Sequence, residues 1–216
     1  MAAPSPPTPG TGRLPTMADI MAASRAQGLR MRLSTFGPLF RVTATRVGGD
    51  GDVELGRAEG AVRPWPGGAV LHLDSMRMSR ATLEVPNRPL FGLGIFLGAV
   101  TVRHGFDAGC VRAELLPIND TPLYHKKLVK FYTRMGFKAV HEVHGSSITD
   151  FTHMLVWGGR GTRMDADIEQ LLASSLNGAE DSDLKTEVSF FSRMGVAFVG
   201  GSFIYDSTRL SSGLPH

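Results

Sequence analysis

Three groups of residues in this sequence have types and spacings that can do chemistry. The first is the glycine-rich run Phe91 to Gly98, FGLGIFLG, in which Gly92, Leu93 and Gly94 open an apolar helix. Glycine lets a backbone approach an anion closely, and the free N–H groups at a helix start point at it. The same glycines also let a helix pack closely on a sheet. The second group is His72, Asp74 and Glu59, side chains able to take a proton, on neighbouring predicted strands. An aspartate near a strand end also caps turns, so Asp74 admits both roles. The third is Leu123 to Val140, LYHKKLVKFYTRMGFKAV, a basic amphipathic helix closed by Gly136 and followed at once by a strand. There Leu128, Phe131 and Met135 recur with helical period, and Lys126, Lys130 and Arg134 form a basic stripe that faces either water or a phosphate.

Other reactive residue types are less suggestive. Cys110 is the single cysteine, which excludes an internal disulfide and a multi-cysteine zinc site, and no histidine–aspartate pattern makes it a nucleophile. It reads as a small core residue. His141, His144 and His153 have no metal-ligand spacing, so no metal is expected. Gly92, Gly94 and Gly98 with Glu114 about twenty residues beyond Gly94 also suit a nicotinamide-dinucleotide turn. That fingerprint needs a strand running into its first glycine, whereas VPNRPLF precedes Gly92, with prolines at 86 and 89.

The elements that must position these groups follow from periodicity. Met17 to Leu29 reads as a short helix. Leu39 to Val47, Val53 to Val62 and Ala69 to Met78 read as three antiparallel strands separated by glycine-rich turns. On the third, alternation puts Leu71, Leu73 and Ser75 on one face and His72, Asp74 and Met76 on the other. Ser79 to Pro89 is an irregular connection and Leu93 to Phe106 a helix. Val111 to Ile118 is a buried strand, Thr121 to Met135 the basic helix, and Phe137 to Val143 and His153 to Trp157 are further strands. Asp165 to Leu172 is a last short helix. The fold class is α/β, a mixed sheet between helices. FFSRMGVAFV at Phe190 to Val199 echoes FYTRMGFKAV without its lysine cluster, a local echo and not a second unit.

The chain has 216 residues, 42% hydrophobic and 20% charged, which is ordinary for one globular domain. Residues 1–16 are proline-rich and read as a disordered or transit segment, 17–175 as the folded domain, and 176–216 as a tail. The arginine-rich, acid-poor beginning is compatible with an organellar transit peptide; otherwise the expected compartment is the cytoplasm. The net charge of +3 suits an anionic ligand and is too small to argue for nucleic acid. No apolar run spans a bilayer, so no membrane insertion is expected.

The run FYTRMGF resembles the "LY, three residues, GF" signature of the GNAT superfamily of N-acetyltransferases. ELLPINDTPLYHKKLVKFYTRMGFKAVHEV followed by HMLVWGGRGTRMDADIE is similar to a plastid-associated plant and algal group within it, which implies the chloroplast as the organelle of a transit peptide. The resemblance implies a GNAT-like mixed central sheet flanked by helices, acetyl-CoA as acyl donor, and an unidentified amine, on a small molecule or protein, as acceptor. It implies Tyr132 as general acid toward the leaving thiolate, with Asp74 as base. It also implies a diphosphate cradle at Gly92, Leu93 and Gly94, with His125 and Lys126 along the cofactor. Two departures stand out. Arg88 is one residue out of step with the family's arginine before the first glycine, and His125 stands where asparagine is usual. Both fit the alternative, a catalytically silent GNAT-like module that binds coenzyme A or a protein partner. The sequence leaves the oligomeric state open.

Overall fold

The structure is a computed structural model that describes residues 13–46, 53–79, 90–117, 122–143 and 161–174. Helix α1 (Met17–Ala26) begins at a reciprocal cap: Thr16 accepts from the Asp19 N–H while the Asp19 carboxylate accepts from the Thr16 N–H. These bonds, the Thr16 hydroxyl's first, hold the Asp19 carboxyl below its usual range. The helix ends by Ala26, and Gly28, at φ 70°, turns the chain into β1 (Leu29–Phe36). That strand is an addition to the sequence reading, which carried the helix to Leu29. Leu29 and Met31 are buried while Arg30 and Arg32 are exposed, the alternation of a half-buried strand.

β2 (Leu39–Arg46), β3 (Glu54–Arg63) and β4 (Ala69–Met78) continue as an antiparallel meander. Helix α2 (Leu90–Asp107) then crosses to β5 (Cys110–Leu115), which lies parallel to β4. Helix α3 (Pro122–Arg134) leads to β6 (Lys138–Val143). β7 (Gly161–Asp167) inserts antiparallel between β5 and β6, and α4 (Ile168–Ser174) follows. The result is an α/β fold: four helices and a seven-stranded mixed sheet in the order β1-β2-β3-β4-β5-β7-β6, mostly antiparallel with one parallel pair. β7 corrects the sequence reading, which began a helix at Asp165. Thr162, Met164 and Ala166 are buried in alternation, and Asp167 caps α4 by accepting from the Gln170 N–H at 2.9 Å. The expected strand at His153 to Trp157, the irregular segment to Pro89 and the echo at Phe190 lie outside the described residues.

The core fills the space between the sheet and the four helices, α3 contributing Leu128, Phe131 and Tyr132, and glycines set how closely they approach. A Cβ at Gly105 of α2 would lie 2.8 Å from Ile168 and 2.9 Å from Leu71. Phe40 on β2 meets the His104 ring edge-on at 5.4 Å. Burial holds the His104 imidazole below its ordinary value, against the attraction of Asp107. As pH falls, the unfolded chain therefore takes up this proton before the folded one. The stability this neutral ring contributes is complete above about pH 6.5 and is lost toward the lower folded value. His104→Phe keeps the contact with Phe40 and should flatten the change in urea midpoint between about pH 7.5 and about pH 5.5. An unaltered slope would assign that pH dependence to other groups.

Candidate functional site

β4 organises the site. It pairs with β5 only as far as Leu73 opposite Leu115, and among the described residues its edge from Asp74 to Met78 has no second strand. On its other side the register with β3 slips, so that Gly60 faces Leu73 and Glu59 faces Ser75. Asp74 is the extra residue of a β-bulge, which bends the strand and turns a side chain outward. The bulge corrects the simple alternation expected from sequence. Ser75 falls on the face of His72, with its hydroxyl 3.5 Å from Glu59, while Met76 is buried. Asp74 itself is half exposed.

Gly60 has no alternative at this point. A Cβ there would lie 2.1 Å from the His72 carbonyl oxygen and 2.7 Å from the Phe40 ring.

The open end of β4 meets the start of α2. The position of a Gly94 Cβ is 3.2 Å from Met78 Cε, and that of Gly56 on β3 is 3.3 Å from the Leu93 side chain. Leu93 is buried. Because the described part of α2 begins at Leu90, Gly92 and Gly94 lie inside its first turns. Among the described residues the Gly92 N–H has no partner within the helix, whereas the Gly94 N–H belongs to the helical ladder.

On α3, His125 is half-buried, with Nε2 3.0 Å from the Thr162 hydroxyl on β7, and Lys126 is exposed. Tyr132 is buried. Its ring meets Phe131 at 5.2 Å and Phe137 at 5.7 Å, both edge-on, and burial pushes its hydroxyl above the usual tyrosine value. Gly136, at φ 107°, ends the helix, and the Phe137 N–H bonds to the Tyr132 carbonyl at 3.0 Å. Cys110 is buried, and burial pushes its thiol up to about 11, which keeps it protonated and unreactive.

A charged cluster that sequence reasoning missed runs across β3, β4, β5 and β7. His72 and Glu114 are both buried, with His72 Nδ1 3.0 Å from Glu114 Oε1. His72 Nε2 lies 2.9 Å from Asp74 Oδ1. Arg63 Nη2 contacts Glu114 Oε1 and lies 3.0 Å from His72 Nδ1. Arg163 reaches Glu114 Oε2 at 3.1 Å and grips Asp165 with two bonds of 3.0 and 2.9 Å. Arg112 stands 3.5 Å from Asp165. Burial, more than repulsion from Arg163 and Arg112, lowers the Arg63 guanidinium against the attraction of Asp74. The signal available beforehand was a pair of charged residues, Arg112 and Glu114, inside the strand Cys110–Leu115.

The sequence-predicted residues thus fall into separate places. Asp74 joins His72 in the cluster, Gly92 to Gly94 lie at the open end of β4, and His125 and Tyr132 lie on α3. Glu59 pairs with Arg41 at 2.6 Å instead. Among the described residues no group of three or more His, Cys, Asp or Glu could hold a metal ion, and no helix is long and apolar enough to cross a membrane. No protein-family model matches the sequence, and no curated protein matches it as a relative.

Proposed function

We propose that the chain is an acetyl-CoA-dependent N-acetyltransferase acting on an amine by direct attack. The observation that carries this reading is the meeting of the edge of β4 from Asp74 to Met78, which has no second strand among the described residues, with the first turns of α2. An elongated ligand with amides along its length and an anionic end suits that junction. Free strand groups pair with the amides, and the free N–H groups of a helix start attract the anion. The pantetheine arm and diphosphate of coenzyme A have this chemistry. The acceptor nitrogen attacks the thioester carbonyl carbon, the carbon–sulfur bond breaks, and coenzyme A leaves as thiolate. Asp74, half exposed on the bulge, takes the proton the amine must lose. Tyr132, implied by the resemblance as acid, is held protonated by burial. Full transfer from a phenol above about 10 to a thiolate of about 8.5 runs uphill, so the role that the resemblance implies for Tyr132, a ring packed between Phe131 and Phe137, is a hydrogen bond to the thiolate and not proton transfer.

Titration calorimetry with acetyl-CoA tests the cofactor. Gly94→Asp puts a carboxylate in the first turns of α2, where it suits the helix dipole and repels a diphosphate. Binding to the wild type and at least about tenfold weaker binding to this variant are expected. A wild type that binds no acetyl-CoA removes the reading. The second reading, a module that binds coenzyme A without turning it over, draws on the burial of Tyr132 between Phe131 and Phe137. Cofactor binding with no acetylation of any amine, and Tyr132→Phe indistinguishable from wild type, would favour it.

A further inference from the structure

The buried cluster beneath Asp74 has a layout that packing alone does not require. Asp74 lies half exposed at its outer end, His72 buried behind it, and Glu114 buried behind His72 under two arginines. Burying a charged group costs several kcal/mol unless it is paired and hydrogen-bonded, and apolar residues would fill the same space as well. We propose that His72 is a positioning residue for Asp74, and that Arg63, braced on Glu114, sets the tautomer in which it acts. The proposal rests on the N-acetyltransferase reading.

The tautomer follows from the partners. Arg63 Nη2, which only donates, and Glu114 Oε1, which only accepts, both lie 3.0 Å from His72 Nδ1, and the proposed tautomer is the one in which the Arg63 contact is the hydrogen bond and Nδ1 accepts. The same guanidinium contacts Glu114 Oε1 and so bridges two acceptors that otherwise face each other at 3.0 Å. Nε2 then carries the proton and donates it to Asp74 Oδ1, 2.9 Å away. Three carboxylates, Asp74, Glu114 and Asp165, and three guanidinium groups, Arg63, Arg112 and Arg163, surround the ring. Arg163, tied to both Glu114 and Asp165, keeps Glu114 from turning away.

The consequence is geometric. A half-exposed aspartate samples several rotamers, and each misdirected one is lost to proton transfer. Anchoring Oδ1 leaves Oδ2 to face an arriving amine or its bridging water. The bulge presents the carboxyl group, and the imidazole fixes its angle. His72 touches no substrate in this scheme and acts through Asp74.

The test uses the full chain labelled with nitrogen-15 histidine. Long-range proton–nitrogen spectra of the wild type should show His72 with its proton on Nε2. Arg63→Met removes the donor to Nδ1 and should mix the tautomers. Asp74→Asn, a half-exposed change that spares the core, should shift the Nε2 resonance. Coenzyme A release is then followed with polyamines, amino acids and lysine peptides as acceptors. His72→Phe should lower kcat by about 100-fold and leave the acetyl-CoA KM unchanged. His72→Gln, whose side-chain amide can donate near the place of Nε2, should recover at least about tenfold of that loss. A wild-type His72 protonated on Nδ1, or a His72→Phe variant within about twofold of wild-type turnover, would overturn the proposal. A wild type active on none of the amines sinks the enzyme reading and this role together. An active wild type with unaffected variants sinks this role alone.

Discussion

Gly60→Ala should cause one of the largest losses of stability available to a single methyl group in this protein. The added carbon would stand 2.1 Å from the His72 carbonyl oxygen and 2.7 Å from the Phe40 ring. A ring can rotate, but a backbone oxygen held in the β3–β4 ladder cannot. Overpacking costs typically about 1–3 kcal/mol, and a clash with immovable backbone belongs at or beyond the upper end. For a domain of this size about 3 kcal/mol lowers the unfolding midpoint by roughly 10 °C. Gly37→Ala is the control. Nothing lies within 4 Å of its Cβ, and only its φ of 56° opposes a side chain. That variant should lose only about 1–2 kcal/mol. Thermal unfolding followed by circular dichroism ranks the two, and Gly60→Ala melting with the wild type would contradict the close approach of β3 and β4. The bulge at Asp74 begins beside this contact, so on the proposed acetyl transfer a folded Gly60→Ala protein should also lose turnover.

The second large effect lies in the charged cluster and depends on which member is removed. Glu114 is buried, whereas Arg63 and Arg163 keep 38% and 21% of their side-chain surface. Replacing both arginines by methionine leaves a buried carboxylate facing the ring of His72 with no arginine or lysine in contact among the described residues. Breaking a buried pair in this way costs about 3–5 kcal/mol. Glu114→Gln should cost less, about 1–3 kcal/mol, because the arginines can swing toward water and Asp165 still holds Arg163. The informative variant adds Glu114→Leu to the two methionines. An apolar set of similar volume should recover at least half of the double-variant loss, as measured by urea midpoints. A triple variant less stable than the double would mean that the carboxylate is not the burdened member.

These energies also explain why acid lability should have more than one source. The His104 contribution starts to be lost as pH falls below about 6.5, whereas Asp19, its carboxyl lowered first by the Thr16 hydroxyl, gives up its cap only below about pH 3.8. The loss from His104 should therefore set in at higher pH than the loss from Asp19.

Much of the architecture was legible in single segments. The strands at Leu39–Arg46, Glu54–Arg63 and Ala69–Met78, the apolar helix after them, and the basic helix ended by Gly136 all announce themselves by period and punctuation. β1 carried the same signal, Leu29 and Met31 against Arg30 and Arg32, but it followed a helix so closely that helical period masked it. β7 was hidden by its acids, since Asp165 and Asp167 look like a helix start. Only Asp167 has that role.

The site was legible as residue types and not as an assembly. Sequence alone determined that Asp74 and His72 are neighbours on one strand, that glycines lie near the start of α2, which begins at Leu90 and not at Leu93, and that a tyrosine stands one turn before a helix-ending glycine. Tertiary structure decided the rest. A one-residue bulge reverses which face every later side chain of β4 occupies, and no local pattern encodes it, because it arises where Gly60 lets two backbones approach. Likewise Glu114 comes forty-two positions after His72 and Arg163 a further forty-nine after Glu114, so their meeting depends on strand order. The side-by-side placement of β4, β5 and β7 brings those charges within hydrogen-bonding distance, and burial there makes each depend on the others.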